Sequence, residues 1–166
     1  MPMQSESRFW ADEGMGSISA VVASLPNGAV LAEERIHSGV RYKLCYNAGN
    51  SQILPGNLAA PVSGGGIASV TVTMASQAGN VGFVVCNHTT ATTGTYFWGA
   101  FRGVVAGLIG DTVSIPTGNH ICVGADGTVQ LFNLNSVVSG KMDCGIVITT
   151  VSNGGARTGS AYVSFG

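Results

Sequence analysis

Residues 96–132 read YFWGAFRGVVAGLIGDTVSIPTGNHICVGADGTVQLF, and this stretch decides the fold class. It begins with a cluster of aromatic side chains and continues with apolar residues that alternate with glycine. Turn residues follow at Gly110-Asp111, at residues 116–119 and at Asp126-Gly127. The Asp-Gly pair is typical of a hairpin, and residues 121–123 and 129–131 flank it as candidate strands. The stretch therefore predicts a packed β unit with three turns.

The aromatic part of this stretch can be assigned to two faces of an extended strand. Strict alternation places Phe97, Phe101 and Val105 on one face, and Trp98 and Arg102 on the other. Glycines between large side chains indicate close approach of a neighbouring backbone or ring, or a bulge that bends the strand. We therefore expect this strand to be the packed spine of the sheet.

Strand signals continue outward over most of the chain. Residues 29–36 and 40–46 flank His37-Ser38-Gly39, a connection suited to a hairpin. Further strands are predicted at residues 57–62, 67–74, 81–86, 141–151 and 160–165, and a loop at residues 133–140. The sequence therefore predicts an all-β fold, a compact antiparallel sandwich or barrel of about nine or ten short strands with an N-terminal arm.

The N-terminal arm comprises residues 1–28, and the β domain comprises residues 29–166. The arm carries two adjacent aromatics, Phe9 and Trp10, beside charged residues. Its apolar run at residues 18–25 fits a short helix or a strand equally well. Large aromatics without a core of their own must dock on something, so we expect the arm to contact its own domain or a partner.

Charge is scarce and unevenly placed. Charged residues make up 9% of the chain, against about 25% in ordinary domains. Nine of the fifteen lie within residues 1–43. Because so little charge gives weak repulsion between molecules, we expect an assembled protein, although a neutral monomer coated in hydroxyls and amides fits the same composition.

The same composition argues against several partners. A net charge of −1 without a basic run does not favour nucleic acid or anionic membranes. No apolar run approaches the roughly 18 residues of a spanning helix, and the order of a signal peptide is missing, so synthesis in a cytoplasm is expected. The four cysteines are widely spaced, which favours reduced, buried thiols.

Catalytic chemistry has few candidates in this chain. The β domain beyond residue 43 offers the carboxylates of Asp111, Asp126 and Asp143, and the first two occupy turn positions where aspartate is expected for backbone hydrogen bonding. Acid–base catalysis needs carboxylates or histidines that share a cleft. We therefore expect a protein that is not an enzyme and that uses no cofactor.

One pattern resembles a metal site. Cys86 and His88, and likewise His120 and Cys122, are two residues apart, and four such ligands could hold zinc if the two segments were paired. Any alternating strand gives the same spacing. The absence of a metal site is therefore the more strongly favoured interpretation of this pattern.

Several segments resemble the small Gly/Thr-rich head proteins of tailed bacteriophages. They are GVRYKLCYNAG at residues 39–49, QILPG at 52–56, residues 99–113, residues 118–132, and the ending from CGIV at 144–147 to YVSF at 162–165. Within that group the chain is similar to the capsid decoration, or cement, proteins. The resemblance covers about residues 39–166 and consists of strand-and-turn pattern.

The resemblance implies a non-enzymatic structural virion protein, made in the host cytoplasm and located on the outer capsid surface. Such a protein binds the major capsid protein as a homotrimer and cross-links neighbouring capsomers. A neutral, hydroxyl-rich surface suits this role, because it avoids burying unpaired charges at contacts. Several weak contacts per trimer then add up through avidity.

Two sets of contact residues are expected. Arg8, Phe9 and Trp10 of the arm are the candidates for contact with the capsid or with another subunit. The alternative reading is a virion tail, spike or host-glycan-binding module. Its glycan contacts would be Tyr96, Trp98 and Arg102 beside the Thr-rich loop at residues 87–95, where Arg102 can also stack on the rings.

Overall fold

The computed structural model describes residues 17–25, 31–62, 71–74, 84–86, 89–153 and 157–165. Eleven strands belong to one sheet, which confirms the predicted all-β fold. In chain order the strands are β1 (Val21–Val22), β2 (Glu34–His37), β3 (Val40–Asn47), β4 (Leu58–Pro61), β5 (Thr71–Met74), β6 (Val84–Cys86), β7 (Tyr96–Leu108), β8 (His120–Val123), β9 (Val129–Leu131), β10 (Gly145–Thr149) and β11 (Gly159–Ser164).

The strand order of the sheet is β2-β3-β5-β4-β6-β7-β11-β10-β8-β9, and β1 pairs with β7. Strand β3 also pairs with β7, although the two are not neighbours in this strand order. The strand pairs are antiparallel except for the parallel pair of β3 with β5. Strands β2 and β9 lie at the two ends of this strand order, and their described residues do not pair with each other. The sheet is therefore open, and it packs as a sandwich.

The core has two parts that lie on opposite faces of β3 and β7. The larger core contains Tyr42, Leu44 and Trp98 among its buried side chains. The smaller core contains Cys45 and Phe97, the neighbours of Leu44 and Trp98 in sequence. Because both faces of these two strands are covered, both carry apolar residues at successive positions, as buried central strands do.

A bulge in β7 changes which residues face the larger core. Tyr42 pairs with Ala100 and Arg41 pairs with Arg102, so Phe101 is an extra residue on β7. Phe101 packs in the smaller core, whereas Val105 packs in the larger core with Trp98. The predicted shared face of Phe101 and Val105 is therefore wrong, because the bulge reverses the alternation between them.

A glycine next to the bulge allows close contact with β3, as the alternating glycines predicted. Gly103 has a φ of 126°, and a Cβ atom there would lie 2.9 Å from the Cα atom of Val40. A side chain at this position would be strained and would push the two strands apart.

Both predicted hairpins are confirmed. Ser38 and Gly39 join β2 to β3 with φ values of 49° and 77°, the pair of positive angles that a type I′ turn requires. A 3₁₀ turn at Ala125–Gly127 joins β8 to β9, and Asp126 has a φ of 49°. Gly39, Asp126 and Gly127 are of residue types that tolerate such angles, which is why these turns could be predicted locally.

The segment predicted as a loop at residues 133–140 contains a short helix, α1 (Leu134–Val138). The side-chain oxygen of Asn133 accepts hydrogen bonds from the backbone N–H groups of Asn135 and Ser136, and Ser136 Oγ accepts from the N–H of Asn133. This capping box satisfies donors that a helix start leaves unpaired. The strand predicted at residues 141–151 is correspondingly shorter, since β10 is Gly145–Thr149.

The described part of the N-terminal arm packs on the β domain of the same chain. A turn closed by the Ala20 N–H on the Ser17 carbonyl leads into β1, where Val21 pairs with Phe97. The apolar run is thus a two-residue strand. The aromatic residues Phe9 and Trp10, with Arg8, lie outside the described residues.

Among the residues that the structure describes, no helix has the length and apolar character to cross a membrane.

Candidate interaction surface

Three neighbouring strands, β7, β11 and β10, carry large apolar side chains on their outer face. Val104 pairs with Tyr162, and Tyr162 pairs with Ile146, so the three side chains are direct neighbours across the sheet. Ile148 lies two residues further along β10. We call Val104, Tyr162, Ile146 and Ile148 the apolar row; each is between 41% and 51% exposed.

The apolar row follows from the local sequence of β10 and its neighbours. Residues 145–149 read GIVIT, which is apolar at both alternating positions. Val147 is buried in the larger core, so Ile146 and Ile148 must point outward. Gly145 lets β10 lie against β11 here, because a Cβ atom at this position would overlap the carbonyl oxygen of Tyr162.

A cation flanks the apolar row without entering it. Arg102 is exposed and pairs in register with Ser164, beside the Val104–Tyr162 pair. Its Nε atom donates to the Tyr162 hydroxyl at 3.4 Å, and this hydrogen bond raises the pKa of the arginine. The stacking of Arg102 on the aromatic ring of Trp98 that the sequence allowed does not occur, because the bulge turns Arg102 to the outer face.

A histidine–aspartate pair borders the row on the other side. His120 Nδ1 lies 2.5 Å from Asp143 Oδ2, while Asp143 Oδ1 accepts a hydrogen bond from the Gly145 N–H. In register His120 pairs with Ile146 of the apolar row. The contact links β8 to the residue two positions before β10.

Two residues of the possible zinc pattern have described side chains, and these two lie in different environments. Cys122 is buried, with its Sγ atom 3.7 Å from Ser136 Oγ, whereas His120 is exposed and bound to Asp143. The side chain of Cys86 and all of His88 lie outside the described residues. Within the described part of the chain, no three His, Cys, Asp or Glu residues are grouped as metal ligands.

The residues predicted for glycan contact do not form one surface. Trp98 is 2% exposed, and the guanidinium of Arg35 lies 4.9 Å from its ring centre. Tyr96 is half-buried, with its ring 4.8 Å from that of Tyr46. A sugar needs an accessible ring face, so the prediction that Trp98 is a glycan contact is wrong; its place in the core makes it a structural residue.

The charges of the first hairpin are largely satisfied within the hairpin and its neighbours. Arg41 and Lys43 on β3 both contact Glu34 on β2, at 3.3 Å and 3.7 Å. The two cations also lie 5.6 Å and 4.4 Å from the ring centre of Phe101. Exposed pairs of this kind contribute little stability, roughly 0 to 1 kcal/mol each. The one carboxylate offsets one of the two positive charges at this end of the sheet.

The expectation of buried, reduced thiols is confirmed for the described cysteines Cys45, Cys122 and Cys144. The Sγ atom of Cys144 donates to the carbonyl oxygen of Ile121 at 3.3 Å. Burial raises the pKa of this thiol, and the nearby Cys122 and Asp143 add to the effect. These cysteines are core residues in their described setting.

The apolar row was missed at the level of the sequence, which pointed to the arm and to the Thr-rich loop instead. The available signal was the GIVIT segment. A strand with apolar residues on both of its faces must be covered on both faces or expose one of them.

A comparison of the chain with protein-family models gives no matching family, and a comparison with curated proteins gives no match.

Proposed function

We propose that this chain is a non-enzymatic structural virion protein that binds the outer surface of a phage capsid as a homotrimer. In this role it stabilises the shell by cross-linking neighbouring capsomers, and its partner is the major capsid protein. The proposal extends the resemblance of residues 39–166 to capsid decoration proteins. It assigns the apolar row to a contact, either between subunits or with the shell.

The apolar row is the observation that carries the proposal. Exposed apolar residues scattered singly are ordinary, but contiguous ones mark interaction surfaces. Val104, Tyr162 and Ile146 are contiguous because they are register partners on three adjacent strands. Their strands lie in the middle of the sheet, so the row is held on a rigid backbone.

The surroundings of the row suit a protein contact. The residues two positions to either side of Tyr162 on the same face of β11 are Ser160 and Ser164, which are small and uncharged. The His120–Asp143 pair at one border is satisfied within the chain, and Arg102 lies exposed at the other border, outside the row. A partner could therefore cover the row itself and leave the Arg102 cation in solvent, without burying an unpaired charge, which would cost several kcal/mol.

The test combines oligomeric state with shell binding. Light scattering of the full-length protein during size exclusion is expected to give the mass of a trimer, and the protein is expected to co-sediment with shells of its own major capsid protein. Each contact is weak, so trimers should bind more tightly than the sum of single sites implies. A protein that remains a monomer and stays in the supernatant contradicts the proposal.

A further inference from the structure

A cleft of about 330 Å³ opens beside α1 and β9, and it shares no lining residue with the apolar row. Its lining residues come from the segment after β7, from β9, and from α1 and the residues around it. They are Thr112, Val113, Gln130, Leu131, Asn133, Asn135, Ser136, Ser139 and Lys141. A volume of this size is at the lower end for small-molecule sites, roughly 300–1,000 Å³.

Lys141 is the charged residue of this cleft, and it is only 9% exposed. Its Nζ atom donates to the carbonyl oxygen of Val123 at 3.0 Å. An ammonium group has three donors, so one backbone acceptor leaves two of them to satisfy. Among the described residues no carboxylate lies within 4.0 Å of Nζ. A buried cation without a counter-charge is costly, and burial is favoured when an anion is supplied.

The second lysine of the chain shows the usual solution. Lys43 is also partly buried, but its Nζ atom lies 3.7 Å from a carboxylate oxygen of Glu34. Among the described residues, the two lysines therefore differ in whether a carboxylate supplies the negative charge: Glu34 does so for Lys43, and none does so for Lys141.

The other walls of the cleft add hydrogen-bonding groups and an apolar side. The side-chain amides of Gln130 and Asn135 have no protein partner among the described residues, so their N–H groups can donate to a ligand. Val113 and Leu131 contribute alkyl surface. Ligand sites commonly combine such apolar walls with a few polar groups that fix orientation.

We propose that this cleft binds an organic carboxylate, with the Lys141 ammonium as the counter-charge and the amides of Gln130 and Asn135 as further donors. A single ammonium balances a single negative charge. A phosphate dianion would leave the cleft with excess negative charge, because Lys141 is the one cationic residue in its lining. The carboxylate belongs either to a free acid or to an acidic side chain of a partner, and the site stands apart from the apolar row and its proposed function.

The test is a titration of the full-length, ¹⁵N-labelled protein followed by NMR. Hexanoate and a blocked pentapeptide with one central glutamate are the carboxylate probes, and hexanamide is the neutral match for hexanoate. Saturable shifts of the backbone amides of Gln130, Asn135 and Lys141 are expected with at least one carboxylate probe and not with hexanamide. Tighter binding of the peptide assigns the carboxylate to a partner protein, and tighter binding of hexanoate assigns it to a free acid.

Variants separate the lysine from the rest of the cleft. Lys141→Met keeps the length of the side chain and should weaken carboxylate binding about tenfold or more, as loss of a charge-assisted hydrogen bond implies. Lys43→Met is the matched control and should leave the affinity unchanged. If Lys141→Met does not fold, Asn135→Asp places a like charge at the exposed rim and should weaken binding instead. Equal binding of hexanoate and hexanamide, or no saturable binding of either carboxylate, overturns the proposal.

Discussion

The Nε atom of Arg102 donates to the hydroxyl of Tyr162 across the β7–β11 pair, at a distance of 3.4 Å. This bond raises the pKa of Arg102, whose cation lies at the border of the apolar row. The outer face therefore presents alkyl and aromatic surface at its centre, with the exposed cation at the edge. A partner that covers only the centre leaves this cation in solvent, so the electrostatic cost is low.

The position of Trp98 in the core predicts a large effect on stability. Trp98→Ala should lower the free energy of unfolding by about 3–5 kcal/mol, because it removes a large buried side chain and leaves a cavity. The measurement is urea unfolding followed by circular dichroism. Tyr162→Ala is the control, and it should cost far less because Tyr162 is exposed. Similar costs for the two variants would show that Trp98 is not a core residue.

The close contact between Gly56 and Gly107 predicts that the first of them cannot carry a side chain. A Cβ atom on Gly56 would overlap the carbonyl oxygen of Gly107, and the backbone there has a φ of 84°. Gly118 has the same φ but open space around it, so it isolates the cost of the backbone angle. Gly118→Ala should cost about 1 kcal/mol, and Gly56→Ala clearly more. Thermal unfolding of both variants measures the difference, and equal costs would rule out the steric contact.

Burial of the Cys144 thiol predicts a specific dependence of stability on pH. Desolvation raises the pKa of this thiol in the folded protein, with Cys122 and Asp143 adding to the shift. The stabilising effect of the neutral thiol is therefore fully present below the unfolded thiol pKa. It declines by about 1.4 kcal/mol per pH unit above roughly 8.5, since only the unfolded chain then releases the proton.

Comparison with Cys144→Ala isolates this effect from other titrating groups. Urea unfolding of the two proteins between pH 7 and pH 10 should show that the wild-type protein loses stability more steeply at the alkaline end. Alkylation at pH 8.5 should also leave Cys144 unmodified until the protein unfolds. Parallel pH profiles for the two proteins would contradict the burial account.

The turns could be predicted from sequence because their cause is local. Ser38-Gly39 and Asp126-Gly127 need backbone angles that few residues adopt, and the sequence shows the residues that adopt them. The all-β class follows from the density of such turns. Helix α1 also has a local cause in the Asn133–Ser136 capping box, but a helix of five residues is too short for its periodicity to be detected.

The bulge in β7 could not be predicted because its cause is distant in sequence. Phe101 becomes the extra residue only when Tyr42 pairs with Ala100 and Arg41 with Arg102. Strict alternation places Val105 with Phe101, whereas the bulge moves it to the larger core. One irregular pairing thus decides which side chains reach the outer face, including Arg102 and Val104.

The candidate surface escaped prediction for a related reason. Ile146, Val147 and Ile148 are all apolar, so the sequence does not say which of them faces outward until the partners of β10 are known. The cleft at Lys141 also depends on contacts between separate segments. The proposed contacts of Arg8, Phe9 and Trp10 stay a prediction, because they lie outside the described residues.

The central claim is that the apolar row is a contact surface, and a charge placed within it tests this directly. Ile146→Asp puts a carboxylate in the middle of the row, while Leu134→Asp puts one on α1, where the side chain is 84% exposed and away from the row. Burying the new carboxylate at an interface costs several kcal/mol, but an exposed one costs little in the isolated fold. Both variants are therefore expected to fold.

The decisive measurement is the mass of the two variants by light scattering during size exclusion, paired with sedimentation against capsid shells. The account predicts that Ile146→Asp loses trimer formation, shell binding or both, while Leu134→Asp behaves as the wild-type protein. An Ile146→Asp protein that assembles and binds shells as the wild type does would contradict it.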